Sequence, residues 1–90
     1  MEQELKIILT KRQRDLVSEF GYPFENIKQQ IADNSLAKAA VEISDDSYWW
    51  EQLVGDLARS LNHNQVKGET LRAEVNVIAD LIESSLNAQK

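Results

Sequence analysis

His63 is the only histidine of the chain, so any acid–base or metal chemistry by an imidazole would fall to it. A general base needs a positioned partner and a pocket, and a zinc site needs several ligands, commonly spaced i to i+3 or i+4 where two share a helix. Asp56 is the nearest upstream acid on the same stretch, and nothing else converges on His63 by spacing. This pattern predicts a helix-terminal histidine whose charged form the helix dipole favours, with no catalytic residue, metal site or cofactor.

Asp45 and Asp46 form a carboxylate pair only by composition, because adjacent helical residues point about 100° apart. With Ser44 they fit better as a cap and as negative charge at the start of the helix that follows. A calcium loop would need more oxygen ligands at alternating positions and a turn glycine, and this stretch runs into Tyr48, Trp49 and Trp50. The three glycines, at 21, 55 and 68, make no phosphate-cradling loop, and neither a GxSxG elbow nor an HExxH helix is present. The absence of cysteine excludes disulfides, thiol nucleophiles and thiolate metal sites.

Lys11, Arg12 and Arg14 are the one basic cluster. In the first turn of a helix these cations meet the positive end of the dipole, at a cost on the order of a few tenths of a kcal/mol each. The simplest account is a solvated face screened by Asp15, Glu2 and Glu4. The functional accounts are a contact with the acidic half of another copy, or nucleic-acid phosphate. Residues 1–38 carry six basic and six acidic side chains, and residues 39–90 carry four and nine, so the whole net charge of −5 lies in the second part. That balance argues against nonspecific phosphate binding, which depends on Lys and Arg displacing counterions.

The elements that would position these groups follow from periodicity. LKIIL, from Leu5 to Leu9, is β-compatible, and Thr10 with Gln13 forms a capping box for a helix carrying Leu16, Val17 and Phe20. A single helix from Glu2 to Phe20 is the competing reading, since Leu5, Leu9, Leu16 and Phe20 also share a helical face. Strand followed by helix is preferred, with Gly21 supplying a left-handed position at the exit. Pro23 fits the first position of a short second helix containing Phe24, Ile27 and Ile31. A second strand is expected over 39–44. A helix from Tyr48 to His63 then places Trp50, Leu53, Val54, Leu57 and Leu61 on one stripe. Gly68 precedes a last helix striped by Leu71, Val75, Ile78, Ile82 and Leu86.

The predicted architecture is therefore α+β and mostly helical, four helices and two short strands in the order β-α-α-β-α-α, within one domain over residues 1–90. The two parts align loosely at an offset of 34 residues, a weak sign of duplication. Trp50 reads as a core anchor. Trp49 falls at the flank of the stripe, either at the core edge or at an interface, and Tyr48 points to the far side. Phe20, Tyr22 and Phe24 around the Gly21–Pro23 turn read as the packed corner of the core, and an aromatic before proline raises the frequency of a cis bond.

A chain with 42% apolar and 28% charged residues is globular in composition, and 90 residues hold one modest core that association would help to stabilise. The start MEQELK lacks the regions of a signal peptide, and no apolar run approaches a membrane span, so a soluble cytoplasmic protein is expected. The expected function is a noncatalytic protein-interaction module, self-associating or part of a cytosolic assembly, with contacts at Tyr22, Tyr48, Trp49 or the strand edges. The alternatives are an acidic regulator that competes for a nucleic-acid-binding protein through the carboxylates between Glu42 and Glu83, and a weak nucleic-acid binder through Lys11, Arg12 and Arg14.

Overall fold

The computed structural model describes residues 4–89. Strand β1 (Glu4–Leu9) leads through Thr10 into α1 (Lys11–Phe20), followed by α2 (Glu25–Asp33), strand β2 (Val41–Asp46), α3 (Ser47–Asn62) and α4 (Glu69–Ala88). The chain is thus α+β and mostly helical, in the expected order. Alternation decides the strand over the longer helix at the start: residues 4–9 bury every second side chain, Leu5, Ile7 and Leu9, as a sheet with one covered face requires. At Thr10 the capping box is complete. The Thr10 hydroxyl accepts from the Gln13 N–H at 3.1 Å, and the Gln13 side chain accepts from the Thr10 N–H at 2.9 Å.

The strands pair antiparallel, Glu4 opposite Asp46, Ile7 opposite Ile43 and Leu9 opposite Val41. Their inner face meets the helical stripes in one buried cluster that includes Leu16, Val17, Ile27, Ile31, Trp50, Leu57, Val75, Ile78 and Ile82. Trp50 is fully enclosed, and its indole N–H donates to the Leu5 carbonyl at 3.0 Å, so the core anchor also holds the first strand. Among the described residues no helix is long and apolar enough to cross a membrane.

Several expectations are corrected. The second strand runs two residues later than 39–44, because the carbonyls of Ala37 and Ala39 accept from the Arg14 guanidinium, at 2.6 and 3.1 Å, and leave the ladder. Asp45 consequently lies on the inner face of β2 and accepts from the Asp46 N–H at 2.8 Å; Asp46 is the N-cap of α3 but its side chain makes no capping bond. Gly21 is right-handed, at φ −98°, and Tyr22 takes the left-handed turn instead, at φ 49°. Pro23 precedes α2, whose N-cap is Phe24, and no peptide bond is cis among the described residues.

Arg14 departs furthest from its expected place. It is 1% exposed, donating also to the Leu9 carbonyl at 2.8 Å with a longer contact of 3.5 Å to that of Asn34. A buried cation needs full hydrogen bonding, and buried carbonyls in a loop need donors; the guanidinium satisfies both demands at once. Arg14→Met is expected to lower unfolding stability by about 3 kcal/mol in urea titration, since it strips donors from several carbonyls. Lys11→Met, at an exposed position of the same sequence cluster, is expected to change it by less than about 0.5 kcal/mol. Equal effects would remove the structural role given to Arg14.

Candidate interaction surface

The site begins where α1 ends. A Cβ on Gly21 would stand 2.5 Å from Leu53 Cδ1 and 2.8 Å from the Val17 carbonyl oxygen, so glycine is required here by the close approach of α1 to α3. The Ser60 hydroxyl, buried in α3, donates to the Phe20 carbonyl at 2.7 Å and ties the same corner down. With that junction closed, the chain can reverse only at the next residue. Tyr22 therefore adopts a left-handed conformation that costs roughly 1–2 kcal/mol for a residue with a side chain.

The reversal carries the 22–24 segment onto the flank of α3. Phe24 stacks on Trp49 with ring centroids 4.6 Å apart and planes within 5°, and Tyr48 meets Trp49 edge-on at 4.8 Å and 81°. Trp49 is half-buried between them, while Tyr22, Phe24 and Tyr48 are 65%, 56% and 46% exposed. Phe20 alone of the three turn aromatics packs into the core; Tyr22 and Phe24 do not form the expected packed corner. Beside the rings lies a cleft of about 150 Å³ lined by Tyr22, Pro23, Phe24, Trp49, Gln52, Leu53 and Asp56. At its end the Asp56 carboxylate is paired with Arg59.

Tyr22, Tyr48 and Trp49, singled out in the sequence for separate reasons, thus share one surface. Phe24 belongs with them. Its sequence signals pointed to the core, through its spacing to Ile27 and Ile31 and its place at the turn, and its stacking partner is 25 positions away. Such a surface offers large aromatic area at small entropic cost, as interface anchors do.

The basic residues are not brought together. Lys11 pairs with Asp15 at 3.2 Å, Arg12 makes a two-pronged contact with Glu74 at 2.9 and 3.1 Å, and Arg14 is interior. Of the carboxylates between Glu42 and Glu83, Asp45 is buried, Asp56 is paired with Arg59 and Glu74 with Arg12, which thins the acidic surface. His63 caps α3 beside a cleft it shares with Tyr22, Asp56, Arg59, Ser60 and Gln65. Among the described residues no group of three or more His, Cys, Asp or Glu could hold a metal ion.

The hydrogen bond from Arg12 holds the Glu74 carboxyl below its ordinary value, and the same bond holds the guanidinium above its own. A carboxyl lowered on folding favours the folded state above its unfolded pKa, and this contribution fades as pH falls through the folded value. Both groups are open to solvent, so the effect on stability is small and sensitive to salt. In an NMR titration Glu74 is expected to protonate at lower pH than an unpaired glutamate, and Arg12→Gln is expected to return it to the ordinary range. An unchanged midpoint in Arg12→Gln would dissolve the pair in solution.

No family model, no curated protein and no solved structure matches the chain, so its surface is read from its own geometry.

Proposed function

We propose that this protein is a noncatalytic protein-interaction module of the cytoplasm, part of an assembly in which the surface of Tyr22, Phe24, Tyr48 and Trp49 meets a protein partner. The observation that carries this reading is the placement of Tyr22. A bulky residue is held in left-handed backbone beside two further exposed rings, although burying those rings would be favourable. Strain of this kind persists where the surrounding structure enforces it, and here it presents an aromatic ring to solvent next to a cleft. The partner best matched to the surface offers an apolar or aromatic side chain that enters the cleft against the Trp49 edge, with a polar rim facing Gln52 and Asp56.

Nucleic acid is the weaker partner for this chain, because two of the three clustered cations are already paired with carboxylates and the third is enclosed. An acidic surface acting on a basic partner has no better support, given the withdrawn carboxylates.

The test is capture from source lysate with wild type, with Tyr22→Ala/Tyr48→Ala, and with Lys67→Gln as a surface control, each checked for fold by circular dichroism. A protein retained by wild type and control but lost by the double variant supports the reading. Equal recovery on the double variant, or no specific protein on any, overturns it. A second expectation separates strain from folding: Tyr22→Gly should melt no lower than wild type, because relief of the left-handed penalty offsets the lost side chain. It should nevertheless lose the partner. A large drop in its melting temperature would mean that the Tyr22 ring serves the fold.

A further inference from the structure

The two edges of the sheet are finished differently. On β2 the side-chain amide of Gln30 behaves as a fragment of a neighbouring strand. Its oxygen accepts from the Ser44 N–H at 3.0 Å, and its nitrogen donates to the Ser44 carbonyl at 2.7 Å and to the Asn26 carbonyl at 3.1 Å. That edge is interrupted at Ser44. Because Ser44 spends both main-chain groups away from β1, its pair with Lys6 is of the non-hydrogen-bonded kind, and by alternation so are Glu4 with Asp46 and Ile8 with Glu42. The main-chain groups of Lys6 and Ile8 therefore point outward from β1. Among the described residues no turn, cap or side-chain bond uses them, whereas the Glu4 carbonyl accepts from the Gln89 side chain at 3.3 Å.

We infer that the open edge of β1 pairs with β1 of a second copy, antiparallel about a two-fold axis beside Ile7, giving a continuous four-stranded sheet. This goes beyond the aromatic surface, which uses none of the β1 residues. The register follows from the exposed groups. Lys6 of one copy lies opposite Ile8 of the other, so each outward N–H and C=O of these two residues finds a partner, and the Gln89 bond to Glu4 is left intact.

Charge and the available main-chain groups together bear on the other registers. Centring on Lys6 would set the two Lys6 side chains against each other, a repulsive cross-strand pair. Centring on Leu5 would set Glu4 opposite Lys6, but it would place the outward groups of Ile8 beyond the start of β1 of the second copy and share the Glu4 carbonyl with Gln89. Centring on Ile7 lays the Lys6 stem across Ile8 of the second copy, which is 63% exposed in the single chain. Beyond Ile8 in the same row lies Glu42, its cross-strand neighbour, within reach of the extended lysine. Symmetry repeats the contact, so two Lys6–Glu42 pairs cross the joint.

Sedimentation velocity of the full chain over a concentration series is the primary test, and a rise in sedimentation coefficient toward a dimer is expected for the wild type. Lys6→Pro removes an N–H that no described residue uses, so it should keep its circular dichroism spectrum and lose the dimer. Should that variant fail to fold, the charge series decides. Lys6→Glu and Glu42→Lys should each weaken association by about tenfold, and the double variant should restore it. Register is read by oxidative cross-linking, since the chain has no cysteine of its own. A mixture of Lys6→Cys and Ile8→Cys chains should give a covalent heterodimer, and Lys6→Cys alone should not cross-link. A wild type that stays monomeric at all concentrations overturns the inference. So does an association that survives Lys6→Pro and the single charge changes but is lost in Tyr22→Ala/Tyr48→Ala, or efficient cross-linking of Lys6→Cys with itself.

Discussion

The burial of the Arg14 guanidinium among main-chain carbonyls is the interaction on which the rest of the fold leans. Two strands of six residues each are marginal as an isolated sheet, and the segment between α2 and β2 offers few apolar side chains to bury. Arg14 joins the end of β1, the exit of α2 and the approach to β2 through the Leu9, Ala37 and Ala39 carbonyls. Its charge is tolerated inside because those oxygens replace water around it. The arrangement also sets where β2 begins, since carbonyls committed to a guanidinium are withdrawn from strand pairing.

Trp50 does the corresponding work at the other end of the sheet. Each helix that directly follows a strand sends a long side chain back to a β1 carbonyl: Arg14 from α1 to Leu9, and Trp50 from α3 to Leu5. Arg72 repeats the device in the connection between α3 and α4, where it donates to the Leu61 and Val66 carbonyls at 3.0 and 3.2 Å. Irregular backbone is thus secured by arginine donors, and the apolar stripes are left to fill the core. Packing at the Gly21 corner then has a consequence at the surface, because the close approach of α1 and α3 shifts the reversal of the chain, with its strain, onto an aromatic residue.

Local chemistry made much of this legible in advance. The Thr10–Gln13 box, the stripes of α3 and α4 and the alternation of β1 depend on neighbours within a few positions, and each stands where the periodicity put it. What sequence could not show depends on partners distant along the chain. Arg14 next to Lys11 and Arg12 looks like a third surface cation, and only the carbonyls of residues 34–39 make it interior. Gly21 at a helix end suggests backbone freedom, yet Leu53 imposes a steric reason for it instead. Tyr22, Tyr48 and Trp49 stood out one by one, and the Gly21–Pro23 turn was legible too, but the stacking of Phe24 on Trp49 depends on where that turn lands against α3. The order of strand and helices repeats, but β1 with β2 and α1 with α3 do not align at the loose offset of 34 residues.

The anchoring of the sheet from its ends explains how one edge can remain unpaired. In a sheet held mainly by its ladder, an exposed edge strand would be free to fray or slip. Here β1 is fixed by Trp50 and Arg14 at the Leu5 and Leu9 carbonyls and by its inner face of Leu5, Ile7 and Leu9, none of which uses the outward groups of Lys6 and Ile8. The strand is held straight and in register before anything touches its outer side, which lowers the ordering cost of any strand added to it. On β2 Gln30 occupies the outward groups of Ser44 and interrupts that edge near its middle, so β1 offers the longer run of outward groups. An edge that is rigid, short and marked by a single lysine resists indiscriminate aggregation while remaining able to accept one strand whose charges match.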